Sequence, residues 1–233
     1  MGVTAIPVIT IDGPSGSGKG TISRLLAHDL SWHFLDSGAL YRLVGLGIDK
    51  HHLAINESEA IARYARQLDV KFTQADPIAE PEIWLEGVEV SGELRTETCG
   101  NRASQVAAIP AVREALLARQ RAFAQPPGLV ADGRDMGTTV FPQAEVKIFL
   151  TASAERRAQR RYKQLKDKGF SVSLSALVKE ITERDARDSS RQASPLKSAE
   201  DAVMVDTSTM NVAEVMATVK ILFQERLGYV FSN

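Results

Sequence analysis

Residues able to bind a polyphosphate are concentrated near the start of the chain, between Gly13 and Thr21. This segment follows an apolar run from Pro7 to Ile11, which is typical of a buried strand. Glycines without a β-carbon allow consecutive backbone N–H groups to converge on one anion, and the cationic side chain of Lys19 then reaches the β- and γ-phosphate oxygens. The spacing therefore predicts a phosphate-binding loop.

The elements on either side of this loop are those that a phosphate site requires. Ile22, Leu25, Leu26 and Leu30 recur at helical spacing directly after it. The N-terminus of that helix adds the positive end of its dipole to the backbone donors. We expect ATP to bind through the whole segment, which consists of Gly13, Pro14, Ser15, Gly16, Ser17, Gly18, Lys19, Gly20 and Thr21.

The residue after Lys19 departs from the common form of this loop. Many phosphate-binding loops carry Ser or Thr at that position to contact magnesium. Here it is Gly20, and the hydroxyl follows at Thr21. Gly-Lys-Gly-Thr resembles the nucleoside monophosphate kinases more than GTPases or motor ATPases. Direct metal ligation by the loop is left open, and transfer to a second phosphate is predicted.

A carboxylate that could steer Mg²⁺ follows a second apolar run. Asp132 lies where the predicted strand beginning at Leu129 emerges, the position from which phosphate-loop enzymes orient magnesium and its waters. A helix-capping role fits Asp132 equally well. We expect any contribution of Asp132 and Thr21 to Mg²⁺ binding to be made through water.

Two arginines four positions apart predict a lid. Arg157 and Arg161 share one face of a predicted helix. Their like charges repel unless an anion lies between them, so a segment over about 153–170 is expected to close over the triphosphate. The alternative is an exposed basic helix.

Other arginines point to further anion sites. Ser37 is expected to cap a helix whose first turns carry Tyr41 and Arg42. A cation near a helix start is unfavourable unless an anion lies there.

Arg184, Asp188 and Arg191 follow at i, i+4 and i+7, on one stripe if the helix persists. The alternative for these three is a surface ladder of ion pairs, each contributing a few tenths of a kcal/mol.

Composition restricts the class of protein. The 233 residues carry 28 Lys plus Arg against 29 Asp plus Glu, and this balance does not favour nucleic acid or an anionic membrane. Cys99 is the single cysteine, so an internal disulfide is excluded. No apolar run approaches the ~18 residues of a membrane helix. We expect a cytoplasmic monomer whose four histidines bind no metal.

The order of predicted elements indicates the fold class. Strands alternate with helices, which predicts an α/β domain over residues 1–233 with a parallel sheet covered by helices on both faces. Short β-prone segments within about 70–98 are separated by turn signals at Asp76-Pro77 and Glu86-Gly87. They predict a small antiparallel insert.

Together these motifs resemble the bacterial cytidylate kinases, from about Ile6 to Met204. The motifs are the phosphate loop, Asp36-Ser37-Gly38 with Tyr41-Arg42, Ala131-Asp132-Gly133-Arg134-Asp135, Val146–Leu150, and Arg184-Asp185 through Arg191. The resemblance implies a P-loop core, a nucleoside-monophosphate lobe over about 37–113 that contains the insert, and a lid. It also implies Mg²⁺-dependent transfer of the γ-phosphoryl group of ATP to CMP or dCMP.

The resemblance further implies roles for individual residues. Acceptor phosphate would be bound by Arg42, Arg134 and Arg191, and cytosine by Ser104, Arg113 and Asp135. The ribose would contact Arg184 and Asp188, while Ser37 and Tyr41 complete the CMP site. Lys19, Arg134, Arg157, Arg161 and Arg191 would act on the transferring group.

The chemistry of cytosine is consistent with the implied base contacts. A carboxylate such as Asp135 accepts from the N4 amino group, and Arg113 donates to N3 and O2. Uracil reverses the polarity at position 4 and at N3. A buried mismatch of this kind costs roughly 1–3 kcal/mol per group, so CMP is expected to be preferred over UMP.

Two alternatives stay open on sequence grounds. One is another P-loop kinase acting on UMP, AMP or a small metabolite. The other is a nucleotide-gated ATPase or switch module that binds a partner protein. Such a module usually has Ser or Thr directly after the loop lysine, and Gly20 argues against it.

Overall fold

The computed structural model describes residues 6–73, 81–167, 169 and 171–228. The chain divides into two units. Unit 1 comprises Met1–Leu35 and Ala124–Asn233, and unit 2 comprises Asp36–Phe123.

Strands and helices are numbered here in chain order. The strands are β1 (Val8–Asp12), β2 (His33–Asp36), β3 (Val70–Thr73), β4 (Glu82–Leu85), β5 (Val88–Glu89), β6 (Leu129–Gly133), β7 (Val146–Thr151) and β8 (Val203–Asp206). The helices are α1 (Lys19–Leu30), α2 (Ser37–Lys50), α3 (Ser58–Arg66), α4 (Ser91–Leu94), α5 (Glu97–Val106), α6 (Pro110–Arg121), α7 (Ala154–Asp167), α8 (Leu174–Ser190) and α9 (Val212–Leu227).

A five-stranded sheet organises unit 1, with the strand order β2-β6-β1-β7-β8. Strand β1 lies at its centre and pairs in parallel with both β6 and β7, and β7 pairs in parallel with β8. All five residues of β1 are buried, which is typical of a parallel strand covered on both faces. Ile9 and Ile11 pack into one core with Leu26 of α1 and Phe223 of α9. This mostly parallel sheet flanked by helices confirms the predicted α/β class.

The parallel arrangement brings three functional segments to one edge of the sheet. Asp12, Gly133 and Thr151 are the last residues of β1, β6 and β7. Because parallel strands end at the same edge, the phosphate loop, the Arg134-Asp135 segment and the start of α7 all begin there.

Unit 2 contains the predicted insert. Strand β4 pairs antiparallel with β3 and with β5, so the expectation of a small antiparallel sheet is confirmed. The turn predicted at Asp76-Pro77 lies outside the described residues. In the second half of the unit, Pro110 begins α6, where its missing N–H removes no helical hydrogen bond.

No helix within residues 6–73, 81–167, 169 and 171–228 combines the length and apolar character needed to cross a membrane. The thiol of Cys99 is buried on α5.

Candidate active site

The phosphate loop connects β1 to α1 through a close approach to β7. A β-carbon at Gly13 would lie 2.1 Å from the backbone oxygen of Leu150, so only glycine fits there. Gly18 is the N-cap of α1 and provides no side-chain hydrogen bond to the first turn. Ser17 Oγ is buried and has no hydrogen-bond partner among the described residues. The loop therefore keeps donors for an anion at the N-terminus of α1.

The amino group of Lys19 lies over this loop. Its Nζ donates to the backbone oxygen of Pro14 at 3.2 Å, and the side chain is half-buried. A lysine held against the loop in this way provides a positive charge beside the helix N-terminus.

The unusual glycine after the lysine lies against a carboxylate. A β-carbon at Gly20 would lie 3.1 Å from Asp132 Oδ2, closer than most contacts of a real β-carbon. Asp132 is 5% exposed and lies within β6, next to β1 in the sheet. Gly20 therefore leaves room for a carboxylate at the point where other loops place a hydroxyl group.

A second carboxylate, Asp12, was not predicted as a site residue. It ends β1, is buried, and accepts hydrogen bonds from the N–H groups of Met136 at 2.9 Å and Gly137 at 2.8 Å. These amides begin a single π turn over Met136–Val140 that directly follows Asp135. Asp12 thus fixes the backbone immediately after Arg134-Asp135.

Burial raises the pKa of Asp12 to about 7. The two backbone N–H donors lower it, the charge of Asp135 raises it, and the charge of Lys19 lowers it. The sequence did offer one signal for this residue, because a carboxylate at the end of an apolar strand is unusual unless something binds it. The hydrogen-bond donors to Asp12 lie 124 and 125 positions away and could not be anticipated.

Helix α7 carries the two arginines predicted for a lid. Arg157 is buried, so it does not belong to an exposed basic face. Its guanidinium donates to the backbone oxygens of Ala152 at 2.9 Å and Ser15 at 3.0 Å, and it forms a bidentate ion pair with Asp185. Arg161 is half-buried on the same helix. Contact of either arginine with ATP stays a prediction.

The predicted acceptor-side residues of unit 1 form a charged cluster, in which Arg134 is half-buried and the others are buried. Arg134 Nε donates to Asp188 Oδ2 at 2.6 Å, and Arg184 Nε lies 4.0 Å from the same oxygen. Helix α8 ends at Ser190, so Arg191 follows the helix instead of continuing its stripe. Arg191 Nε donates to the backbone oxygen of Asp188 at 3.2 Å. Because Arg184, Asp188 and Arg191 are all buried, a solvent-exposed ion-pair ladder is excluded.

In unit 2, the residue that caps α2 differs from the predicted one. Asp36 is the N-cap, and its Oδ1 accepts from the N–H of Ala39 at 3.0 Å. Ser37 is the first helical residue and is buried. Both residues are good N-caps, and the carboxylate also favours the helix dipole.

Arg42 lies half-buried on the first turns of α2. Its Nη1 donates to the backbone oxygens of Leu94 at 2.5 Å and Thr96 at 3.2 Å. These contacts fix part of the guanidinium against the segment between α4 and α5, leaving the phosphate role of Arg42 as a prediction.

The predicted base-binding residues of unit 2 are buried. The Arg113 guanidinium lies 5.5 Å from the ring centre of Tyr41, a cation–π contact, and its Nη1 donates to the backbone oxygen of Ala107 at 3.3 Å. Ser104 on α5 is also buried. Buried polar groups of this kind discriminate strongly between ligands, because an unmatched partner leaves them unsatisfied.

Each unit therefore carries a distinct part of the predicted chemistry. Unit 1 holds the phosphate loop, the carboxylates Asp12, Asp132 and Asp135, and the buried arginines of α7 and α8. Unit 2 holds a phosphate-binding candidate, Arg42, and the pair Arg113 and Tyr41.

Comparison with known proteins identifies the family. Residues 9–225 match the family model described as cytidylate kinase. A cytidylate kinase of Aeromonas salmonicida (strain A449) is 58% identical over 222 residues, covering 95% of this chain and 96% of the relative. Cytidylate kinases of Shewanella frigidimarina (57%; 91% and 93% covered) and Nitrosococcus oceani (55%; 92% and 94% covered) are similarly close. With these matches spanning nearly its full length, the chain belongs to the cytidylate kinase family.

Proposed function

We propose that this protein is an ATP-dependent kinase that transfers a phosphoryl group to CMP or dCMP, giving CDP or dCDP and ADP. The match to the cytidylate kinase family over residues 9–225 is the observation that carries the proposal. The open donors of the phosphate loop support it independently, because they suit the polyphosphate of a nucleotide.

ATP is the phosphoryl donor and binds to the loop from Gly13 to Thr21. The backbone N–H groups and Lys19 hold its β- and γ-phosphates. Arg157 and Arg161 of α7 add positive charge to the transferring group. The contact of Arg157 with Ser15 supports a role close to the loop.

CMP is the acceptor, and its proposed contacts follow the chemistry of its parts. The phosphate is bound by Arg42, Arg134 and Arg191, which provide the bidentate donors that phosphate favours. The ribose contacts Arg184 and Asp188. Ser37 and Tyr41 complete the site.

The base is recognised by hydrogen bonds of fixed polarity. Asp135 accepts from the N4 amino group of cytosine, Arg113 donates to N3 and O2, and Ser104 adds a hydroxyl contact. The burial of all three side chains supports this assignment, since a mismatched base then leaves a polar group without a partner.

The reaction needs neither a covalent intermediate nor a strong general base. The attacking group is a phosphate oxygen that already carries negative charge, so alignment and charge neutralisation determine the rate. Lys19 and the arginines Arg134, Arg157, Arg161 and Arg191 stabilise the charge that develops on the transferred group. Water must be excluded, because ATP would otherwise be hydrolysed.

Mg²⁺ is the proposed cofactor, and the residues beside the loop fit it. Asp132 and Thr21 offer oxygen donors, which Mg²⁺ prefers. Across the described residues, no three His, Cys, Asp or Glu side chains cluster as a metal site. This arrangement suits an ion held largely by water and phosphate oxygens, with Asp132 and Thr21 acting through water. When bound, Mg²⁺ supplies neutralising charge to the phosphates.

The proposal also includes a cytoplasmic location and a monomeric state. Light scattering after size-exclusion chromatography tests the monomer against the chain mass of 25.4 kDa. A mass near twice this value contradicts it.

An acceptor panel tests the proposed activity. ADP formation is measured with ATP and Mg²⁺ in the presence of CMP, dCMP, UMP, AMP or no acceptor. We expect rapid ADP formation with CMP and dCMP, and a background rate without an acceptor. Fastest turnover with AMP or UMP contradicts the acceptor assignment, and an unchanged rate without any acceptor indicates an ATPase.

A further inference from the structure

A second arginine of α7 contacts the phosphate loop, at a peptide different from the one that Arg157 contacts. Arg160 Nη1 donates to the backbone oxygen of Ser17 at 3.3 Å. The same guanidinium donates to Thr207 Oγ1 at 3.2 Å and, through Nη2, to the Thr207 backbone oxygen. Its acceptors in these contacts are uncharged oxygens.

Thr207 contacts the same loop oxygen from the end of β8. Its hydroxyl is buried and lies 3.0 Å from Ser17 O and 3.1 Å from Thr151 O. A hydroxyl has one proton, so it donates to one of these carbonyls at a time while it accepts from Arg160. Ser17 O is thus held by a guanidinium and a hydroxyl together.

The orientation of this carbonyl determines where a loop donor points. In a planar trans peptide the C=O and N–H bonds point in opposite directions. Holding Ser17 O against Arg160 and Thr207 therefore turns the N–H of Gly18 away from them. Apart from Gly18 and its two chain neighbours, no described residue has an atom within 4 Å of where a β-carbon at Gly18 would be, so the space beside this position is open.

We propose that Arg160 is a positioning residue of the ATP site, which acts with Thr207 to hold the Ser17–Gly18 peptide with its N–H directed toward the donor phosphates. The inference rests on the proposed function, since it assumes that the loop binds ATP. Arg160 does not itself contact the nucleotide in this role. Its loss weakens ATP binding because a correctly oriented backbone donor is lost from the anion site.

The same helix offers a matched control. Arg156 lies one turn before Arg160 and donates to the backbone oxygen of Ser208 at 2.8 Å and to Gln159 Oε1 at 3.0 Å. It therefore contacts the segment after β8, as Arg160 does, through acceptors outside the phosphate loop. Arg156→Met and Arg160→Met remove the same charge from the same helix.

The test compares KM values for ATP and CMP in four variants. We expect Arg160→Met to raise KM for ATP about tenfold, as the loss of one oriented hydrogen bond implies, with KM for CMP within about twofold of the parent. Thr207→Val should raise KM for ATP about threefold. Arg160→Lys should show a smaller rise in KM for ATP than Arg160→Met, because lysine keeps the positive charge and a hydrogen-bond donor. Arg156→Met should leave both KM values within about twofold.

Binding of ADP, measured by calorimetry without CMP, separates this inference from the proposed function. If the parent protein does not phosphorylate CMP, the proposed function is wrong. The ratio of the ADP affinities of Arg160→Met and the parent still tests the role of Arg160. Unchanged ADP affinity in Arg160→Met overturns the inference, and so does an equal loss in Arg156→Met. If Arg160→Met fails to fold, Arg160→Lys and Thr207→Val still decide: unchanged ADP affinity in both overturns the inference.

Discussion

At the scale of single residues, the absence of a side chain at Gly20 leaves room for the carboxylate of Asp132. A side chain at position 20 would push against the Asp132 carboxylate, which lies 3.1 Å from the place of its β-carbon. The loop therefore combines glycine after the lysine with an acidic residue at the neighbouring strand. An oxygen of Asp132 therefore lies beside the loop, where the usual hydroxyl after Lys19 is absent.

The proposed recognition of cytosine makes a prediction about Asp135. Asp135→Asn replaces one acceptor oxygen with an N–H₂ donor, which can face O4 of uracil. We expect the ratio of kcat/KM for CMP over UMP to fall by roughly tenfold or more, in line with about 1–3 kcal/mol per mismatched buried group. Steady-state kinetics with both nucleotides measure the ratio. A ratio equal to that of the parent shows that Asp135 does not read the base.

The buried carboxylate of Asp12 predicts a pH dependence of stability. Its pKa is about 7 in the folded protein against an ordinary value of 3.8, so between these values the folded state binds a proton that the unfolded state does not. The unfolding free energy therefore falls as pH rises through this window, by up to about 1.4 kcal/mol per pH unit. Above about pH 7 the contribution is constant. Below pH 3.8 the carboxyl is protonated in both states.

Asp12→Asn tests this dependence because an amide keeps one acceptor and does not titrate. Urea unfolding of parent and variant at pH 5, 6, 7 and 8, without nucleotide or metal, gives the difference in unfolding free energy. We expect the stability of the parent relative to the variant to decrease from pH 5 to pH 7 and then level off. A difference that is constant or increases over this range contradicts the assigned pKa.

At the scale of elements, the small sheet of unit 2 is attached through its hairpin turn. Glu86 occupies this turn with φ of 50°, a left-handed conformation that is unusual for a residue other than glycine. Its carboxylate accepts from Lys50 at 2.7 Å, His51 at 2.8 Å and Tyr64 at 2.9 Å. The first two residues lie at the end of α2 and the third on α3. One side chain thus ties the insert to both helices.

Glu86→Gln is predicted to weaken this attachment. The hydrogen bonds from Lys50, then His51, hold the pKa of Glu86 at about 2, below its ordinary 4.5. The carboxylate therefore contributes stability above pH 4.5, and this is lost as pH falls toward 2. Since Glu86 is partly exposed, we expect a loss of about 1–2 kcal/mol at pH 7. Urea unfolding followed by circular dichroism measures it.

Glu59→Gln, on the exposed face of α3, is the control for this change. It removes the same charge from the same unit and should cost no more than a few tenths of a kcal/mol. Equal effects of the two substitutions would show that Glu86 acts only through net charge.

Elements with a strong local signal could be predicted from the sequence. Leu129, Val130 and Ala131 form an apolar run, and the strand predicted to begin at Leu129 is observed as β6 (Leu129–Gly133). The choice of cap on α2 failed because Asp36 and Ser37 are both good N-caps, and only the backbone decides between them. The stripe of Arg184, Asp188 and Arg191 required the helix to persist, but α8 ends at Ser190 and Arg191 has a non-helical ψ of 137°.

Contacts between distant segments could not be predicted. The clusters of arginines indicated an anion site, but spacing along a helix does not show which arginine meets the phosphate loop. Arg160 contacts it through Ser17, 143 positions away, and Asp12 binds amides 124 and 125 positions away. Such contacts depend on which strands are neighbours in the sheet, which no local pattern contains.

At the scale of the whole molecule, ATP and CMP are proposed to bind different groups of residues. Each ligand should therefore stabilise the folded protein independently of the other. A ligand that binds only the folded state raises the unfolding free energy, by about 2.7 kcal/mol at a hundredfold excess over Kd. We expect a non-hydrolysable ATP analogue and CMP each to raise Tm of the parent. Lys19→Met should lose the shift with the analogue and keep the shift with CMP, and Arg42→Met should show the opposite pattern.

Each shift is measured relative to the same variant without ligand, because Arg42 also holds the backbone at Leu94 and Thr96. Loss of both shifts in one variant would show that the substitution disturbs more than its own ligand. Retention of both shifts in Arg42→Met would remove Arg42 from the acceptor site.

In the proposed reaction, a phosphoryl group passes from ATP to the phosphate of CMP without passing to water. Phosphorus NMR of a mixture of ATP, CMP and Mg²⁺ follows every phosphate species at once. With the parent protein we predict that CDP and ADP appear in equal amounts and that inorganic phosphate stays at background, while Lys19→Met slows CDP formation by about a hundredfold or more. Inorganic phosphate that accumulates with ADP while CMP persists would contradict this transfer to CMP.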